Sequence, residues 1–221
     1  MSRRIIRRAV AVLLLGPALL ILLFRFAPVP ITPLMLIRVA EGYGLRHRWV
    51  PYERIAPAMA RSVIASEDDF FCTEPLGFDF GALRGQIGVW MHGGRPLGAS
   101  TITMQTARNL LLWPGRNLPR KALEAWLTPQ IALLWPKRRV LEVYLNSIEF
   151  GPGIFGVEAA ARAFFHEPAA ALTAAEAARL AAVLPDPLRW SAARPDAYVR
   201  RRSRIIAARV GQLGMLLRCA R

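Results

Sequence analysis

At residues 98–105 the chain contains the stretch Gly98-Ala99-Ser100-Thr101-Ile102-Thr103-Met104-Gln105. This is a turn rich in small and hydroxyl-bearing residues, and it leads into a helical pattern. Ser100 or Thr101 can cap that helix, which we predict to end at residue 112, before the break at Trp113-Pro114-Gly115. The free backbone N–H groups of such a helix start, together with the hydroxyls, can bind an anionic or sugar ligand. An ordinary capped loop explains the same residues.

Helical periodicity extends from this stretch in both directions, almost throughout the chain after residue 54. No segment alternates with period two for long enough to predict a sheet. Thr173 and Glu176 form a capping box at the start of one of the helices. We therefore predict a mainly α fold. Its remaining helices cover residues 58–65, 80–91, 119–134, 137–147, 156–165, 173–183 and 196–217.

The N-terminal segment has the pattern of a transmembrane anchor. An uncharged run covers residues 9–24, and Arg25 can reach the headgroup region so that the span extends to residue 27. Arginines placed before a span favour a cytoplasmic N-terminus. They are Arg3, Arg4, Arg7 and Arg8. A cleaved signal peptide is the alternative, but no small-residue cleavage pattern follows the run.

The length of 221 residues leaves room for one soluble domain once the anchor is subtracted. Pro28, Pro30 and Pro33 predict a stiff, extended connector that holds this domain close to the membrane. We predict five segments along the chain. They are a basic cytoplasmic N-terminus (1–8), the anchor (9–27), a juxtamembrane connector (28–53), the catalytic domain (54–190) and a basic C-terminal helix (191–221).

The formal charge of +15 predicts a polyanionic or anionic partner. Removing the five arginines of the first 25 residues, which contain no acid, leaves +10 on the remainder, so the basic character is not confined to the anchor. Nucleic acid, acidic lipid headgroups and pyrophosphate-bearing substrates all fit this charge. The two cysteines, Cys72 and Cys219, form no metal-ligand spacing. We expect two unrelated thiols, and a disulfide between them is the alternative.

Three adjacent carboxylates follow an apolar helical segment, in the sequence Ser66-Glu67-Asp68-Asp69-Phe70-Phe71. Like charges placed together raise the pKa of at least one member, which is useful in a general base. A solvated acidic helix end explains the cluster equally well.

Cations outnumber acids in a second cluster and can surround a diphosphate. Arg120 and Glu124 are four residues apart, and Arg139 and Glu142 are three apart, so helical ion pairs are the alternative. The cluster consists of Arg116, Arg120, Lys121, Glu124, Lys137, Arg138, Arg139 and Glu142.

Taken in order, these segments resemble the family-51 glycosyltransferases, and specifically the monofunctional biosynthetic peptidoglycan transglycosylases. Any one motif is weak, but five in order at family-like spacing are specific. The similarity extends from the membrane span to about residue 187. The five motifs are Glu67-Asp68 with Phe71 and Gly77-Phe78-Asp79; Gly98 to Thr103 with Gln105; Arg120-Lys121-Ala122-Leu123-Glu124; Lys137 to Asn146; and Gly151 to Gly156 with Ala159-Ala160 and Leu184-Pro185-Asp186-Pro187.

The resemblance implies a lysozyme-like helical fold with a cleft near the membrane, in a bacterial inner-membrane protein whose domain is periplasmic. The implied substrates are lipid II and the growing glycan strand. Glu67 is then the general base, tuned by Asp68 and Asp69, and Glu124 the second carboxylate. Ser100, Thr101 and Gln105 line the sugar and phosphate cleft together with Asp68. The cations implied at the departing pyrophosphate are Arg108, Arg116, Arg120 and Lys121.

No cofactor is required by the sequence. A divalent cation, Mg²⁺ or Mn²⁺, could share the pyrophosphate charge, although the chain has no dedicated set of ligands for one. Membrane lipid and other cell-wall synthesis proteins are the further partners that the resemblance implies.

The sequence departs from the family pattern at three places. The first motif lacks the usual histidine and is one residue longer, with Cys72-Thr73-Glu74-Pro75-Leu76 between Phe71 and Gly77. Met104 replaces the first of a usual glutamine pair, and His166-Glu167 replaces a Gly-Lys pair. Because the first motif is altered, we expect the loop beside the base to differ in geometry from the family pattern.

Alternative functions of three kinds stay open. A catalytically impaired, membrane-tethered family member could bind lipid II or glycan without polymerising it. A lysozyme-like glycan-cleaving enzyme would carry the same fold and a catalytic Glu, but needs neither the cations nor the anchor. A non-enzymatic membrane protein could bind anionic lipid through the basic tail. Nucleic acid is disfavoured because aromatic residues do not alternate with the basic ones. Transpeptidation is disfavoured because no Ser-x-x-Lys motif occurs.

Overall fold

The helices of the computed structural model follow the predicted pattern closely. The structure describes residues 3–94, 100–115 and 117–220. Within these ranges ten α-helices form: α1 Arg3–Phe24, α2 Pro33–Ala40, α3 Pro57–Glu67, α4 Phe80–Met91, α5 Ile102–Leu111, α6 Leu118–Leu134, α7 Lys137–Ser147, α8 Val157–Phe165, α9 Ala174–Val183 and α10 Ala197–Leu213.

The predicted caps are also present. The Thr101 side chain accepts a hydrogen bond from the Met104 N–H at 3.1 Å and so begins α5. Thr173 and Glu176 form the capping box that opens α9. These local signals were readable because each joins residues only three positions apart. The mainly α fold is therefore confirmed.

Two short features were not predicted. Strands β1 (Arg46–His47), β2 (Glu149–Gly151) and β3 (Ile154–Phe155) form one sheet in the order β1-β3-β2, with β1 and β3 parallel and β2 and β3 antiparallel. Strands of two or three residues are too short to show alternation. A Cβ at Gly153, where φ is +66°, would lie 2.4 Å from the Tyr43 carbonyl oxygen, so this turn requires glycine.

The second feature is α2, which lies inside the juxtamembrane connector predicted for residues 28–53, where no helix was predicted. Thr32 accepts a hydrogen bond from the Met35 N–H at 3.4 Å, and Pro33 occupies the first helical position. Proline at this position favours a helix start, because its missing N–H has no helical partner there and its φ is already helical.

Helix α3 lies at the centre of the molecule and carries the predicted base at its C-terminal end. It packs against α9 and α10, and Met59, Val63 and Ile64 on it are fully buried. Helix α5 packs between α6 and α7. The core therefore surrounds the two helices whose ends meet at the acidic cluster.

The C-terminal end of α1 is fixed to the domain. The Trp135 indole N–H donates to the Ile21 carbonyl oxygen at 2.7 Å, and Ile21 is fully buried. Arg139 donates to the carbonyl oxygen of Phe24 at 2.8 Å. Among the residues that the structure describes, no helix combines the length and apolarity that a membrane span needs. The anchor predicted for residues 9–27 therefore stays a prediction.

The C-terminal segment is not a solvated tail. Helix α10 packs against α9 and α3, and its residues Val199 and Ile206 are buried. The 3-10 segment Gly214–Ala220 follows, and Cys219 forms a disulfide with Cys72, with 5.5 Å between the two Cα atoms. The expectation of two unrelated thiols was therefore wrong. The cysteines are 147 positions apart, and no local pattern reveals a contact of that range.

Asn146 fixes the segment before α3 to α7. Its fully buried side chain accepts a hydrogen bond from the Val50 N–H at 2.9 Å and donates to the Val50 carbonyl at the same distance.

We predict that Asn146→Ala lowers the free energy of unfolding by about 3 kcal/mol, because both buried backbone groups of Val50 lose their partner. Denaturant titration measures this. The exposed Gln212→Ala on α10 is the control, expected to change stability by less than about 0.5 kcal/mol. Equal effects of the two variants would contradict the role of Asn146.

Candidate active site

Glu67 is the last residue of α3, and its carboxylate is held by hydrogen bonds on both oxygens. Oε2 accepts from the Gln105 side-chain amide at 3.1 Å, and Oε1 accepts from the Ser66 hydroxyl at 2.9 Å. The guanidinium of Arg202 lies 3.5 Å from Oε1. The side chain is 15% exposed, so the carboxylate is accessible to a ligand yet fixed in direction.

The Glu67 carboxylate faces an open cavity of about 240 Å³. Of the described residues that line the cavity, four carry carboxylates and one carries a cation, so the cavity is acidic. We call it the acidic cleft. Its lining residues are Ser66, Glu67, Asp68, Asp69, Phe70, Asp79, Ala82, Ser100, Thr101 and Arg209.

Asp68 connects the end of α3 to the start of α5. Its Oδ2 accepts a hydrogen bond from the Ile102 N–H at 2.8 Å, and the residue is 8% exposed. Burial raises the pKa of Asp68, so one member of the acidic cluster does have a raised pKa, although burial rather than neighbouring charge is the main cause. The Asp68 carboxylate thus binds a backbone N–H at the helix start that we had considered as a donor to a ligand.

The loop that follows packs tightly on α5. The Thr101 hydroxyl donates to the Gly77 carbonyl oxygen at 2.7 Å. A Cβ at Gly77, where φ is +76°, would lie 2.7 Å from a methyl carbon of Thr103. Thr101 therefore serves both as the N-cap of α5 and as an anchor for the loop, and although it is only 3% exposed it is one of the residues that line the acidic cleft.

Glu74 is a buried acid that sequence analysis did not assign to the site. It lies within the lengthened part of the first motif and is 7% exposed. Burial and, after it, the neighbouring Asp68 carboxylate raise the pKa of Glu74 to about 9. Burial also lowers the pKa of Lys137, against the opposing effect of Glu74 and Asp68. The Lys137 ammonium lies 4.5 Å from the centroid of the Phe71 ring. At neutral pH Glu74 is therefore a neutral acid beneath the cleft.

The second predicted carboxylate, Glu124, is fully buried and paired with two cations. Arg120 donates to its Oε2 and Lys121 to its Oε1, each at 2.6 Å. The Arg120 side chain is 6% exposed, whereas that of Lys121 is 42% exposed. Lys121 also donates to the Ser100 hydroxyl at 2.8 Å. Lys121 is thus the member of this trio that faces solvent, and Arg120 holds the carboxylate from behind.

Gln105 joins the two halves of the site. Its Oε1 accepts from the Tyr144 hydroxyl at 3.1 Å, which leaves its amide N–H groups to donate to Glu67 and, at 3.5 Å, to the Ser100 carbonyl. Complete burial raises the pKa of Tyr144 well above its ordinary value, so the phenol stays a donor. A continuous set of polar contacts therefore runs from Glu67 through Gln105 and Ser100 to Lys121.

Other members of the predicted basic cluster lie elsewhere. Arg139 pairs with Glu142 at 2.9 Å, as the helical ion-pair interpretation expected. Arg138 pairs with Glu53, which was not predicted. Arg108 is partly buried, and its charge acts on Tyr144. Arg116 lies outside the described residues, as do Gly98 and Ala99 of the second motif.

Two functional candidates were missed. Arg202 and Arg209 of α10 reach Glu67 and Asp69, respectively. They are seven positions apart, which places them on one face of a helix, so their spacing was a readable signal. Nothing in the local sequence indicated which surface that face would meet.

No group of three or more His, Cys, Asp or Glu side chains that could hold a metal occurs in the described part of the chain.

A helical domain that presents one oriented carboxylate beside a buried, cation-paired second carboxylate has the parts of a group-transfer site. The profile of the transglycosylase family matches residues 35–210, and the chain belongs to this family.

Three similar proteins are each called biosynthetic peptidoglycan transglycosylase. The one from Caulobacter vibrioides is 49% identical over 213 residues, covering 95% of this chain and 93% of its own. The one from Rhodospirillum centenum is 50% identical over 215 residues, covering 95% and 92%. The one from Ectopseudomonas mendocina is 48% identical over 223 residues, covering 97% and 92%. The similarity therefore extends over almost the whole of both chains.

The raised pKa of Glu74 makes stability depend on pH. As pH rises above the ordinary value of 4.5, Glu74 ionises in the unfolded chain but stays protonated in the folded one until about pH 9, so rising pH favours unfolding. We predict that Glu74→Gln, which resembles the neutral acid, loses less stability between pH 5 and pH 9 than wild type. The difference should reach at least about 1 kcal/mol. Lys137, whose pKa is lowered, opposes this effect at pH values between its pKa in the folded protein and its ordinary value of 10.5.

The measurement is denaturant unfolding at a series of pH values. Glu53→Gln is the control, because the Glu53 side chain is 66% exposed and should leave the profile unchanged. Parallel profiles for wild type and Glu74→Gln would mean that Glu74 ionises normally in the folded protein.

Proposed function

We propose that this chain is a peptidoglycan glycosyltransferase that polymerises lipid II into β-1,4-linked glycan strands with inversion, releasing undecaprenyl diphosphate. Membership of the transglycosylase family and the names of its relatives support the reaction class. The observation that carries the assignment is the polar chain from Glu67 through Gln105 and Ser100 to Lys121 and Glu124. It connects the proposed base to a solvent-facing cation through a continuous set of hydrogen bonds.

Glu67 acts as the general base in this proposal. The Gln105 amide and the Ser66 hydroxyl fix the direction of its carboxylate, so a lone pair can point at an acceptor hydroxyl without reorganisation. The carboxylate takes the proton of the 4-hydroxyl of the acceptor GlcNAc. The oxygen then forms a bond to the anomeric carbon of the donor MurNAc from the face opposite the leaving group.

Lys121 stabilises the leaving group. As the bond between the anomeric carbon and the phosphate oxygen breaks, its electron pair leaves with the diphosphate, and negative charge grows there. Lys121 is 42% exposed and is oriented by Glu124 and Ser100, so its ammonium is fixed before the charge develops. Arg120 acts indirectly, because it is buried and holds Glu124 in place. Arg108 and Arg116 are the further cations we propose at the diphosphate.

We also propose that α1 anchors the protein in a bacterial inner membrane, with a cytoplasmic N-terminus and a periplasmic domain. The uncharged run of residues 9–24 and the arginines before it support this topology. Leu15, Leu19 and Leu23 are more than half exposed on α1, and such apolar side chains fit a lipid environment. The contacts of Trp135 and Arg139 with the end of α1 would hold the cleft near the lipid headgroups, where lipid II is found.

Replacing the base tests the reaction. We predict that Glu67→Gln reduces polymerisation of purified lipid II by at least about 100-fold, because the amide cannot accept the acceptor proton. Glycan length and released undecaprenyl diphosphate are followed together in detergent. Glu53→Gln, an exposed Glu→Gln change, is the control and should retain wild-type turnover.

Both products are needed to interpret this assay. Polymer from wild type but not from Glu67→Gln supports the transferase assignment and the identity of the base. Absence of both products with wild type would overturn the proposal and favour a tethered protein that binds lipid II or glycan. Preformed glycan strands are added in a second reaction, where shortening of the strands without released lipid diphosphate would indicate a glycan-cleaving enzyme.

The anchor is tested by membrane extraction. We predict that the full chain stays in the membrane pellet after alkaline carbonate treatment, whereas a chain lacking residues 1–27 is released, because the apolar run is then missing. Proteinase K added to spheroplasts should digest the domain and spare an N-terminal tag. Release of the full chain by carbonate, or digestion of the tag, would contradict the proposed topology.

A further inference from the structure

The C-terminal segment 197–220 meets the residues around the base at three separate points. The Arg202 guanidinium lies 3.0 Å from the Ser66 hydroxyl oxygen and 3.5 Å from Glu67. Arg209 forms an ion pair with Asp69. Cys219 forms the disulfide with Cys72. All three contacts join α10 or its extension to residues 66–72, and Arg209 lines the acidic cleft. This segment carries none of the family motifs recognised in the sequence.

Arg209 has a particular place in the charge distribution of the cleft. It is the one cation among the described lining residues, beside four carboxylates. Its partner Asp69 is partly buried, with 27% of the side chain exposed, and Asp69 Oδ1 has no hydrogen-bond partner among the described residues. Removing Arg209 would therefore leave Asp69 without its compensating charge, two residues from the base.

The disulfide fixes the far end of the same segment. Helix α10 ends at Leu213, and Gly214, with φ of +46°, turns the chain so that residues 214–220 return toward Cys72. The Cys219 N–H also donates to the Cys72 sulfur at 3.2 Å. Cys72 is five residues beyond Glu67, and Cys219 is ten residues beyond Arg209. The covalent bond thus limits how far Arg209 can move from Asp69.

We propose that Arg209 is a positioning residue of the acidic cleft and that the Cys72–Cys219 disulfide holds it there. This inference rests on the proposed function. Arg209 keeps Asp69 paired, and so limits the negative charge that favours proton uptake by the cleft carboxylates. With Asp69 unpaired, we expect lipid II polymerisation to lose rate at a higher pH on the acid side of its profile. Among the described residues, the ionisable groups that share the cleft with Glu67 are Asp68, Asp69, Asp79 and Arg209. Arg202 pairs with Glu67, Tyr144 interacts with its charge, and Arg108 acts on Tyr144.

A charge cycle tests the role of Arg209 through the pH dependence of lipid II polymerisation. In Arg209→Met the acid limb of the rate profile should move to higher pH by about half to one unit. Arg209→Lys keeps the positive charge, so the acid limb of its rate profile should lie at the same pH as in wild type. The double variant Asp69→Asn with Arg209→Met removes both charges and should also return it toward wild type. The control is Arg201→Met, an exposed change on the same helix.

Each outcome of the cycle bears on the proposal. A rate that falls equally at every pH in Arg209→Met, with no displacement of the limb, would overturn the positioning role, because a purely structural defect behaves in that way. A limb that stays displaced in the double variant would show that Asp69 is not the group that Arg209 balances.

The disulfide is tested by reduction. A phosphine breaks the S–S bond to two thiols and is itself oxidised, and thiol titration confirms the reaction. Reduced wild type should show the same displaced acid limb as Arg209→Met. The double variant Cys72→Ser with Cys219→Ser should show it with or without the phosphine. An unchanged limb in reduced wild type would overturn the role of the disulfide.

Hydrogen exchange separates this inference from the proposed function, because it needs no turnover. Amides of residues 68–78 should exchange at least about tenfold faster in reduced than in oxidised wild type, since the loop loses its covalent attachment. If oxidised wild type makes no polymer, the proposed function fails. The exchange rates then still show whether the disulfide attaches this loop to the C-terminal segment. If the amides exchange at equal rates in the reduced and oxidised forms, the disulfide does not hold this loop, and the inference is wrong even when polymer forms.

Discussion

The hydrogen bond between the Ile102 N–H and the Asp68 carboxylate joins the end of α3 to the start of α5. The positions of Glu67, Gln105 and Ser100 relative to one another depend on this junction. It places Glu67, the residue before Asp68, opposite Gln105, one turn into α5. It also brings Ser100, just before the α5 cap, within reach of Lys121 on α6. A charged acceptor at a helix N-terminus is favoured by the helix dipole as well as by the hydrogen bond itself. The same carboxylate therefore stabilises the fold and sets the geometry of the site.

The altered first motif gains a physical explanation from the groups beneath this junction. Where the family pattern has a histidine, this chain has a longer loop that carries Glu74 into the interior. A buried acid is tolerated there because its pKa is raised to about 9 and it remains neutral at ordinary pH. Lys137 lies close enough for its charge to act on both Glu74 and Asp68. The departure from the family pattern therefore places an acid of raised pKa beneath the cleft, in addition to the usual carboxylates.

The sequence predicted those parts of the fold that depend on neighbours along the chain. The caps at Thr101 and Thr173 and the periodic apolar faces gave the helices after residue 54, and the family motifs indicated Glu67, Gln105, Lys121 and Glu124 as candidates. The helix α2 was missed because proline was interpreted as a spacer rather than as a helix start. The short sheet was missed because two or three residues show no period. The position of α10 and the disulfide were missed because both depend on packing between residues more than 130 positions apart.

The contact of α10 with residues 66–72 also has a consequence for the order of folding. Helices α5, α6 and α7 pack against one another through contacts that are short in sequence, and such contacts have a small closure cost. The contact of Arg209 with Asp69 instead closes a loop of about 140 residues, which becomes favourable only after intervening helices have packed. Until α10 docks, Asp69 has no cation beside it, and the carboxylates of residues 67–69 repel one another in open water. The charge balance of the cleft is therefore a late product of folding, and a chain whose other helices are fully formed can still lack it.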